Sequence, residues 1–230
     1  MLTENLMREL TTPPNSNDGD HRRDAPAFHR NGIPILDALS KRLSQLDGHL
    51  LEIGSGSGQH TALLAKHFPR LTFWPSDPNP DHRASIDAWR AYLGLENVRP
   101  AADLDVRTKR WELGTETASR RFDLRFDAIL SANVIHIAPW SVAEGLFLGG
   151  AKQLAPGGFL ALYGPFRWRG VHVSSSNQAF DEHLRARDPA WGVRDIEDVD
   201  QLATSHQLAR IETIAMPANN HLLVFSQEEG

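Results

Sequence analysis

Three glycines at alternate positions, Gly54, Gly56 and Gly58, are the residues best placed to bind a ligand. An apolar run, residues 50–53, leads into this turn, and a helical pattern follows it. Glycine adopts positive φ without steric cost and lets a ligand approach the backbone. Free N–H groups at the start of the next helix can bind an anionic or polar ligand. The turn therefore predicts a nucleotide-like ligand, and the alternative is a tight strand–helix turn.

Two acidic positions follow the glycine turn. Asp77 ends the second predicted strand, about 20 residues after the turn, where a carboxylate commonly accepts hydrogen bonds from a ribose diol. The alternative is a turn cap, because Ser76-Asp77-Pro78-Asn79-Pro80 has strong turn chemistry. Asp105 follows the third predicted strand, where an adenine amino group could be bound. Asp103 would take that place if the register were shifted.

Strand and helix patterns alternate along the chain and position these residues. Apolar periodicity and turn residues predict five helices and a last helical segment, with strands between them. The predicted helices are 34–46, 61–68, 80–93, 141–154, 178–187 and 196–206, and the predicted strands are 49–53, 71–74, 98–101, 126–132, 159–163, 211–216 and 221–225. This alternation predicts an α/β fold with a doubly wound, mostly parallel sheet and an antiparallel edge. We expect one domain, residues 25–230, after a flexible arm, residues 1–24.

The composition excludes several classes of function. The 230 residues include no cysteine, which removes disulfides, thiolate nucleophiles and cysteine metal ligands. The formal net charge of -5, without a basic stripe, disfavours nucleic acid and anionic membranes as partners. No apolar run approaches the ~20 residues that span a bilayer. The histidines show no metal-ligand spacing, so we predict a cytoplasmic protein without a metal site.

The spacing of the glycines also argues against a nicotinamide-dependent oxidoreductase. The dinucleotide pattern G-x-G-x-x-G places its third glycine three positions after the second. In this chain, Gly58 follows Gly56 after two positions, and Glu52 stands two positions before Gly54.

With the glycine turn, Asp77 and Asp105 on three successive predicted strands, the sequence resembles class I S-adenosylmethionine-dependent methyltransferases. More narrowly, it is similar to an uncharacterised methyltransferase-like family of bacteria and animals, over about Arg22 to Phe225. The matching segments are 30–36, 51–60, 74–77, 104–106, 133–140, 162–166, 185–189, 191–192 and 217–220. Of these, Asn133–Trp140 and Tyr163–Phe166 are far more specific than the glycine turn.

The resemblance implies a Rossmann-like, seven-stranded sheet whose last strand is antiparallel, and S-adenosylmethionine as cofactor. Five residues would lie beside the methionine part of the cofactor: Glu52, Gly54, Ser55, Gly56 and Gly58. Asp77 would hold the ribose, Asp105 the adenine amino group, and Asn133 would lie near the sulfonium.

Two residues are candidates for contact with the methyl acceptor. His136 follows Asn133 by three positions, where an imidazole could act as a general base. The alternative is a histidine that bonds a backbone group and braces the loop before Pro139. Tyr163 ends the fifth predicted strand, and its hydroxyl could orient an acceptor.

Other residues near these two have open roles. Three aromatic residues could form a pocket wall or fill the core: Trp140, Phe166 and Trp168. Residues 174–177 could be a lid or a loop. Arg185 and Arg187 could bind an acidic acceptor, although Arg185 could instead pair with Asp181 one helical turn back.

The sequence thus predicts a methyltransferase that acts on a small molecule, with a protein acceptor as second choice. The alternative is a protein that binds S-adenosylmethionine or its demethylated product without catalysis. An acceptor end blocked by Trp140 or Phe166 would favour this alternative.

Overall fold

A computed structural model describes residues 2–12, 20–108, 110, 111, 113 and 124–227. The chain divides into a first compact unit that runs to Leu104 and a second that begins at Asp105, with Leu113 assigned to the first.

The first unit alternates helices with two parallel strands. Its elements are α1 (Leu2–Leu10), α2 (Pro26–Leu43), β1 (His49–Ile53), α3 (Gln59–His67), β2 (Thr72–Ser76) and α4 (Pro80–Tyr92). Strands β1 and β2 pair in parallel from His49↔Thr72 to Ile53↔Ser76. The third predicted strand is present only as two isolated parallel bridges, Phe73↔Val98 and Ser76↔Ala102.

Local sequence explains how α4 begins. Asn79 has an extended backbone, and its side chain accepts a hydrogen bond from the Asp81 N–H at 2.9 Å. Pro80 takes the first helical position, where a missing N–H costs nothing. The start of this helix was predicted from the sequence and is confirmed.

The N-terminal segment includes a helix that the sequence pattern did not predict. Leu6 and Leu10 of α1 are buried, and the Leu10 carbonyl accepts a hydrogen bond from Gln59 Nε2 at 2.6 Å. Thr3 Oγ1 lies 3.0 Å from His67 Nε2, so α1 contacts α3 at both ends. The flexible arm stays a prediction, and residues 13–19 of its polar stretch lie outside the described residues.

The second unit contains the longest strand and the antiparallel pair. Its elements are β3 (Phe126–Ala132), α5 (Trp140–Gln153), β4 (Leu154–Trp168), β5 (Val171–His172), α6 (Ser175–Arg187), β6 (Arg194–Asp195), α7 (Ile196–Ser205), β7 (Leu208–Met216) and β8 (Asn220–Gln227). Strand β3 pairs in parallel with β4. The last strand, β8, runs antiparallel to both β4 and β7.

The predicted fold class is confirmed: α/β, mostly parallel, with an antiparallel last strand. The described residues form eight strands and not seven, because the third predicted strand is reduced to isolated bridges and two short strands, β5 and β6, pair with the end of β4. No helix among the described residues is long and apolar enough to cross a membrane. The cytoplasmic location and the single-domain organisation stay predictions.

Candidate functional site

The glycine turn, residues 54–58, connects β1 to α3, and all three of its glycines have positive φ. Gly54, Gly56 and Gly58 have φ of 68°, 56° and 86°. The Ser55 N–H donates to the Ser76 carbonyl at 2.9 Å, which ties the turn to the end of β2. The three glycines are therefore required by the backbone conformation, as their spacing predicted.

Gly56 and Gly58 have different surroundings. A Cβ at Gly58 would lie 2.8 Å from the Ile86 Cα, so α4 packs directly on the turn. A Cβ at Gly56 would meet nothing within 4 Å. Gly58 therefore serves packing, whereas Gly56 presents open backbone to which a ligand can come close.

Asp77 is buried and points to this turn. One carboxylate oxygen accepts the Gly56 N–H at 3.0 Å, and the other accepts the Asn79 N–H at 2.9 Å. His82 Nδ1 lies 3.1 Å from the first of these oxygens. Asp77 thus caps the turn, as the alternative interpretation proposed. A carboxylate offers about four lone-pair sites, so these contacts leave capacity for a ligand hydroxyl.

Glu52 is buried in β1, two positions before the turn. Thr61 Oγ1 donates a short hydrogen bond to Glu52 Oε2. Burial raises the pKa of Glu52 to about 7, and the charge of Asp77 adds to this rise, whereas hydrogen bonds from Thr61 and Ser55 oppose it. The first unit therefore brings Glu52, the glycine turn and Asp77 together.

The two acids considered for adenine are both ion-paired. Asp103, in the first unit, lies 3.1 Å from Arg83 Nη2, and its side chain is largely exposed. Asp105, in the second unit, receives hydrogen bonds from Arg107 Nε and Nη2. These bonds hold the pKa of Asp105 below its usual range. Its adenine role stays a prediction.

The second unit brings Asn133, His136 and Tyr163 together at the ends of β3 and β4. Asn133 has φ of 63°, and its N–H donates to the Tyr163 carbonyl at 2.8 Å. Tyr163 is buried. A Cβ at Gly164 would lie 2.2 Å from His136 Nε2 and 3.5 Å from Asn133 Oδ1. Gly164 therefore allows both side chains to approach β4.

His136 is 1% exposed and packs against an aromatic ring. Its ring lies edge-to-face on Phe166, with centroids 5.0 Å apart. Burial, followed by the charge of Arg194, lowers the pKa of His136 to about 3; the backbone of Gly192 and the charge of Asp181 oppose this shift. Neither ring nitrogen has a hydrogen-bond partner of good geometry among the described residues. The imidazole is therefore neutral near pH 7, and both roles considered for His136, general base and brace of the loop, stay predictions.

The backbone of the His136 segment is held by residues that sequence reasoning missed. The Gly192 N–H donates to the His136 carbonyl at 2.9 Å. Arg194 donates from Nε to the Ile135 carbonyl at 2.9 Å and from Nη2 to the Ala138 carbonyl at 2.5 Å. Gly192 belonged to a segment of the resemblance, but no local pattern marked Arg194.

The remaining candidates have mostly structural contacts. Phe166 is fully buried, and Trp168 lies against His221 with ring centroids 4.6 Å apart. Ser174 caps α6 by accepting the Asn177 N–H, so residues 174–177 form the start of that helix, and their lid role stays a prediction. Arg185 Nε donates to both Asp181 oxygens at 3.1 Å, which confirms the pairing one turn back.

Metal ligands do not gather in the part of the chain that the structure describes. No three His, Asp or Glu side chains there could hold an ion together.

A family model described as "Protein of unknown function (DUF938)" matches residues 22–227, and the chain belongs to this family. The occurrence of the family in bacteria and animals stays a prediction.

Solved structures of methyltransferases share the fold at low sequence identity. An O-methyltransferase family protein from Burkholderia thailandensis matches with a TM-score of 0.71 and 16% identity, over 89% of this chain and 58% of its own. The pyocyanin biosynthetic protein PhzM matches with 0.68 and 16%, over 88% and 56%. Human N-acetylserotonin methyltransferase, solved with S-adenosylmethionine, matches with 0.67 and 14%, over 88% and 53%.

This likeness shows that the chain shares the Rossmann-like fold of these proteins. The chain spans between 53% and 58% of the length of these three proteins.

Proposed function

From the family membership, the fold and the glycine turn, we propose that the chain binds S-adenosylmethionine and transfers its methyl group to a small-molecule acceptor. The observation that carries the proposal is the open backbone at Gly56 beside the buried carboxylate of Asp77. An alternating glycine turn that leaves room for a ligand next to an anchored acid suits an adenosine-type cofactor.

The residues of the first unit fit this cofactor. The carboxylates of Glu52 and Asp77 would bind the cofactor's ammonium group and ribose hydroxyls, respectively. The backbone from Gly54 to Gly58, with Ser55, would lie along the methionine part. When bound, the cofactor supplies a methyl carbon activated by a positively charged sulfur. Asp105 and Asn133 are proposed to contact the adenine and the region of the sulfonium.

His136 is proposed as the base that takes a proton from the acceptor, with Tyr163 orienting the acceptor. A neutral imidazole with free nitrogens has a lone pair available for this task. The lowered pKa makes it a weak base while it is buried, so an acceptor must reach the ring to use it. Because His136 is a weak base, it favours acceptors whose hydroxyl groups are themselves acidic.

The small-molecule acceptor is supported by two solved methyltransferases of the same fold. One was solved with apigenin, and another with S-adenosylmethionine and 2-hydroxy-5-methyl naphthoic acid. They share 16% and 12% identity with this chain, so the acceptor class is a proposal. The acidic net charge of -5 argues against nucleic acid as substrate. A protein acceptor is the second choice.

A specific observation favours a second candidate, a protein that binds the cofactor or its demethylated product without turnover. Phe166 packs against His136 and is fully buried, as expected of a blocked acceptor end. Both candidates share the binding site of the first unit and differ only in transfer.

Calorimetric titration with S-adenosylmethionine, its demethylated product and NAD tests the binding. We expect micromolar affinity for the first two and no heat with NAD. Methyl transfer from labelled cofactor to phenolic acceptors then separates the enzyme from the binding protein. Absence of binding to either sulfur ligand would refute both candidates.

Asp77→Ala should weaken cofactor affinity by roughly 1.5–3 kcal/mol, the value of a hydrogen bond to a charged group. The matched control is Asp81→Ala. Asp81 is exposed at the start of α4, where its carboxylate pairs with Arg23. Equal affinity in the Asp77 variant and the wild type would exclude the ribose role.

A further inference from the structure

An open groove of about 510 Å³ lies in the second unit. Positions 198, 201, 202 and 205 on one face of α7 line one side. Trp140, at the start of α5, lines it as well, together with residues of β4, α6 and β6. Neither the glycine turn nor Asp77 contributes a residue to the lining of this groove.

Three arginines from different elements line this groove: Arg167, Arg185 and Arg194. Arg167 gives its Nε to Asp195 at 3.1 Å, and Arg185 gives its Nε to Asp181. Arg194 uses Nε and Nη2 for backbone carbonyls. The protein therefore fixes each guanidinium through its Nε.

The outer edges of these guanidinium groups keep free donors. Among the described residues, the terminal nitrogens of Arg167 and Arg185 and the Nη1 of Arg194 donate no hydrogen bond. Arg167 and Arg185, which are held through Nε alone, present a planar pair of N–H groups, the geometry that binds a carboxylate or a phosphate, whereas Arg194 offers only its Nη1.

Carboxylates in the groove and beside it compensate the charges of the three arginines. Two carboxylates also line it: Asp195, which accepts from Arg167 and from the Gly170 N–H, and Asp198, which is exposed. Burial and the nearby charges of Arg185 and Arg167 lower the pKa of Arg194. With Asp181, which pairs with Arg185 beside the groove, three carboxylates balance the three guanidinium cations. Asp195 and Asp181 are bound through the Nε atoms of Arg167 and Arg185, so the terminal nitrogens of these arginines stay available to an anion.

We propose that this groove binds the oxyanion of a small molecule, a carboxylate or a phosphate, whose apolar part lies against Trp140 and Leu202. The oxyanion accepts hydrogen bonds from the terminal nitrogens of Arg185 and from the Nη1 of Arg194. This is a site apart from the proposed cofactor site, and it is tested by binding alone. Its failure would leave the cofactor proposal unchanged.

Calorimetric titration with benzoate, phenyl phosphate and benzamide tests the proposal. Benzamide has the ring and shape of benzoate but no charge, so it is the matched control ligand. We expect benzoate or phenyl phosphate to bind and benzamide not to bind, with affinity falling as salt is added. The tighter of the two anions identifies the oxyanion. Binding of benzamide as tight as benzoate, or no binding of either anion at millimolar concentration, would overturn the proposal.

Three variants locate the binding in the groove. Arg185→Gln should weaken the binding of the tighter anion about tenfold, the effect of one lost charged hydrogen bond. Asp198→Asn removes an exposed negative charge from the groove and should strengthen binding about twofold. Arg187→Gln, two positions along α6 and outside the groove, is the matched control and should leave the affinity unchanged.

Tighter binding by Asp198→Asn cannot come from misfolding. For Arg185→Gln, which removes a partner of the buried Asp181, an unfolding midpoint in urea close to that of the wild type excludes misfolding as the cause of the loss. An equal loss of affinity in Arg185→Gln and Arg187→Gln would place the anion outside the groove. If neither of the single variants Arg185→Gln and Asp198→Asn changed the affinity, the anion would also bind outside the groove.

Discussion

The first unit buries an acid, Glu52, beside the glycine turn, whereas the second unit buries a base, His136. Burial shifts the pKa values of these two groups in opposite directions. Glu52 has a hydrogen-bond partner, Thr61, and burial raises its pKa to about 7. The ring of His136 has no such partner among the described residues, and burial lowers its pKa to about 3. Burial therefore shifts both groups toward their neutral forms, the acid by raising its pKa and the base by lowering it.

The two groups give the stability opposite dependences on pH. Glu52 binds its proton more tightly in the folded chain, so its contribution is present below its ordinary pKa of 4.5 and is lost as pH rises through about 7. His136 binds its proton more weakly when folded, so its contribution is present above 6.5 and is lost as pH falls toward 3. Between 4.5 and 6.5 the two slopes oppose each other, and single variants should reveal each one.

The largest effect is expected where a glycine packs against backbone. Gly58→Ala should lower the free energy of unfolding by about 4 kcal/mol, because the residue has φ of 86° and its Cβ would meet the Ile86 Cα. Gly56→Ala is the control: it has φ of 56° but open space, so it should cost about 1 kcal/mol. Urea unfolding of both variants measures the difference. Equal losses would show that strain alone, and not packing on α4, fixes Gly58.

His136→Leu should remove the part of the acid-induced loss of stability that comes from His136. Leucine carries no proton, so relative to the wild type the variant should gain about 3 kcal/mol in unfolding free energy between about pH 7 and about pH 4. Urea unfolding at the two pH values measures this gain. The control is His183→Leu, at an exposed position of α6. A parallel pH profile in wild type and His136→Leu would contradict the buried neutral imidazole.

Glu52→Gln should stabilise the first region at high pH. Glutamine keeps an oxygen that accepts from Thr61 and removes the charge that burial disfavours. The gain in unfolding free energy should reach about 3 kcal/mol at about pH 8 and shrink to about 1 kcal/mol at about pH 5. A gain that does not depend on pH would exclude titration of Glu52 as its source. The same variant should bind S-adenosylmethionine more weakly if Glu52 binds its ammonium group.

Local patterns predicted the elements whose signals are contained within a few residues. Strands β1 and β3 have the predicted bounds, and α4 begins at the predicted Pro80. Helix α1 had no such signal, because a nine-residue helix depends on tertiary contacts, here through the buried Leu6 and Leu10.

In the candidate site, too, local motifs could be predicted from the sequence, whereas contacts between distant residues could not. Gly56 and Asp77 meet because consecutive parallel strands bring their carboxyl ends to one edge, and the spacing of the two motifs predicted this. Arg194 contacts carbonyls 59 and 56 residues earlier in the chain. Pairings at that separation leave no periodicity in a single sequence, so the residues that hold the His136 segment could not be predicted from it.

Gly164→Ala should cost less than Gly58→Ala, because its Cβ would meet a side chain and not backbone. We expect a loss of about 2 kcal/mol in unfolding free energy, since the His136 ring must shift to accommodate the new methyl group. In the His136→Ala background the space vacated by the ring admits this methyl group, so the same substitution should cost little or gain stability. The coupling energy from this double-mutant cycle measures the contact directly. Additive losses would show that the two residues are not in contact. They would then also disprove the tight packing that distinguishes the His136 segment from the open backbone at Gly56.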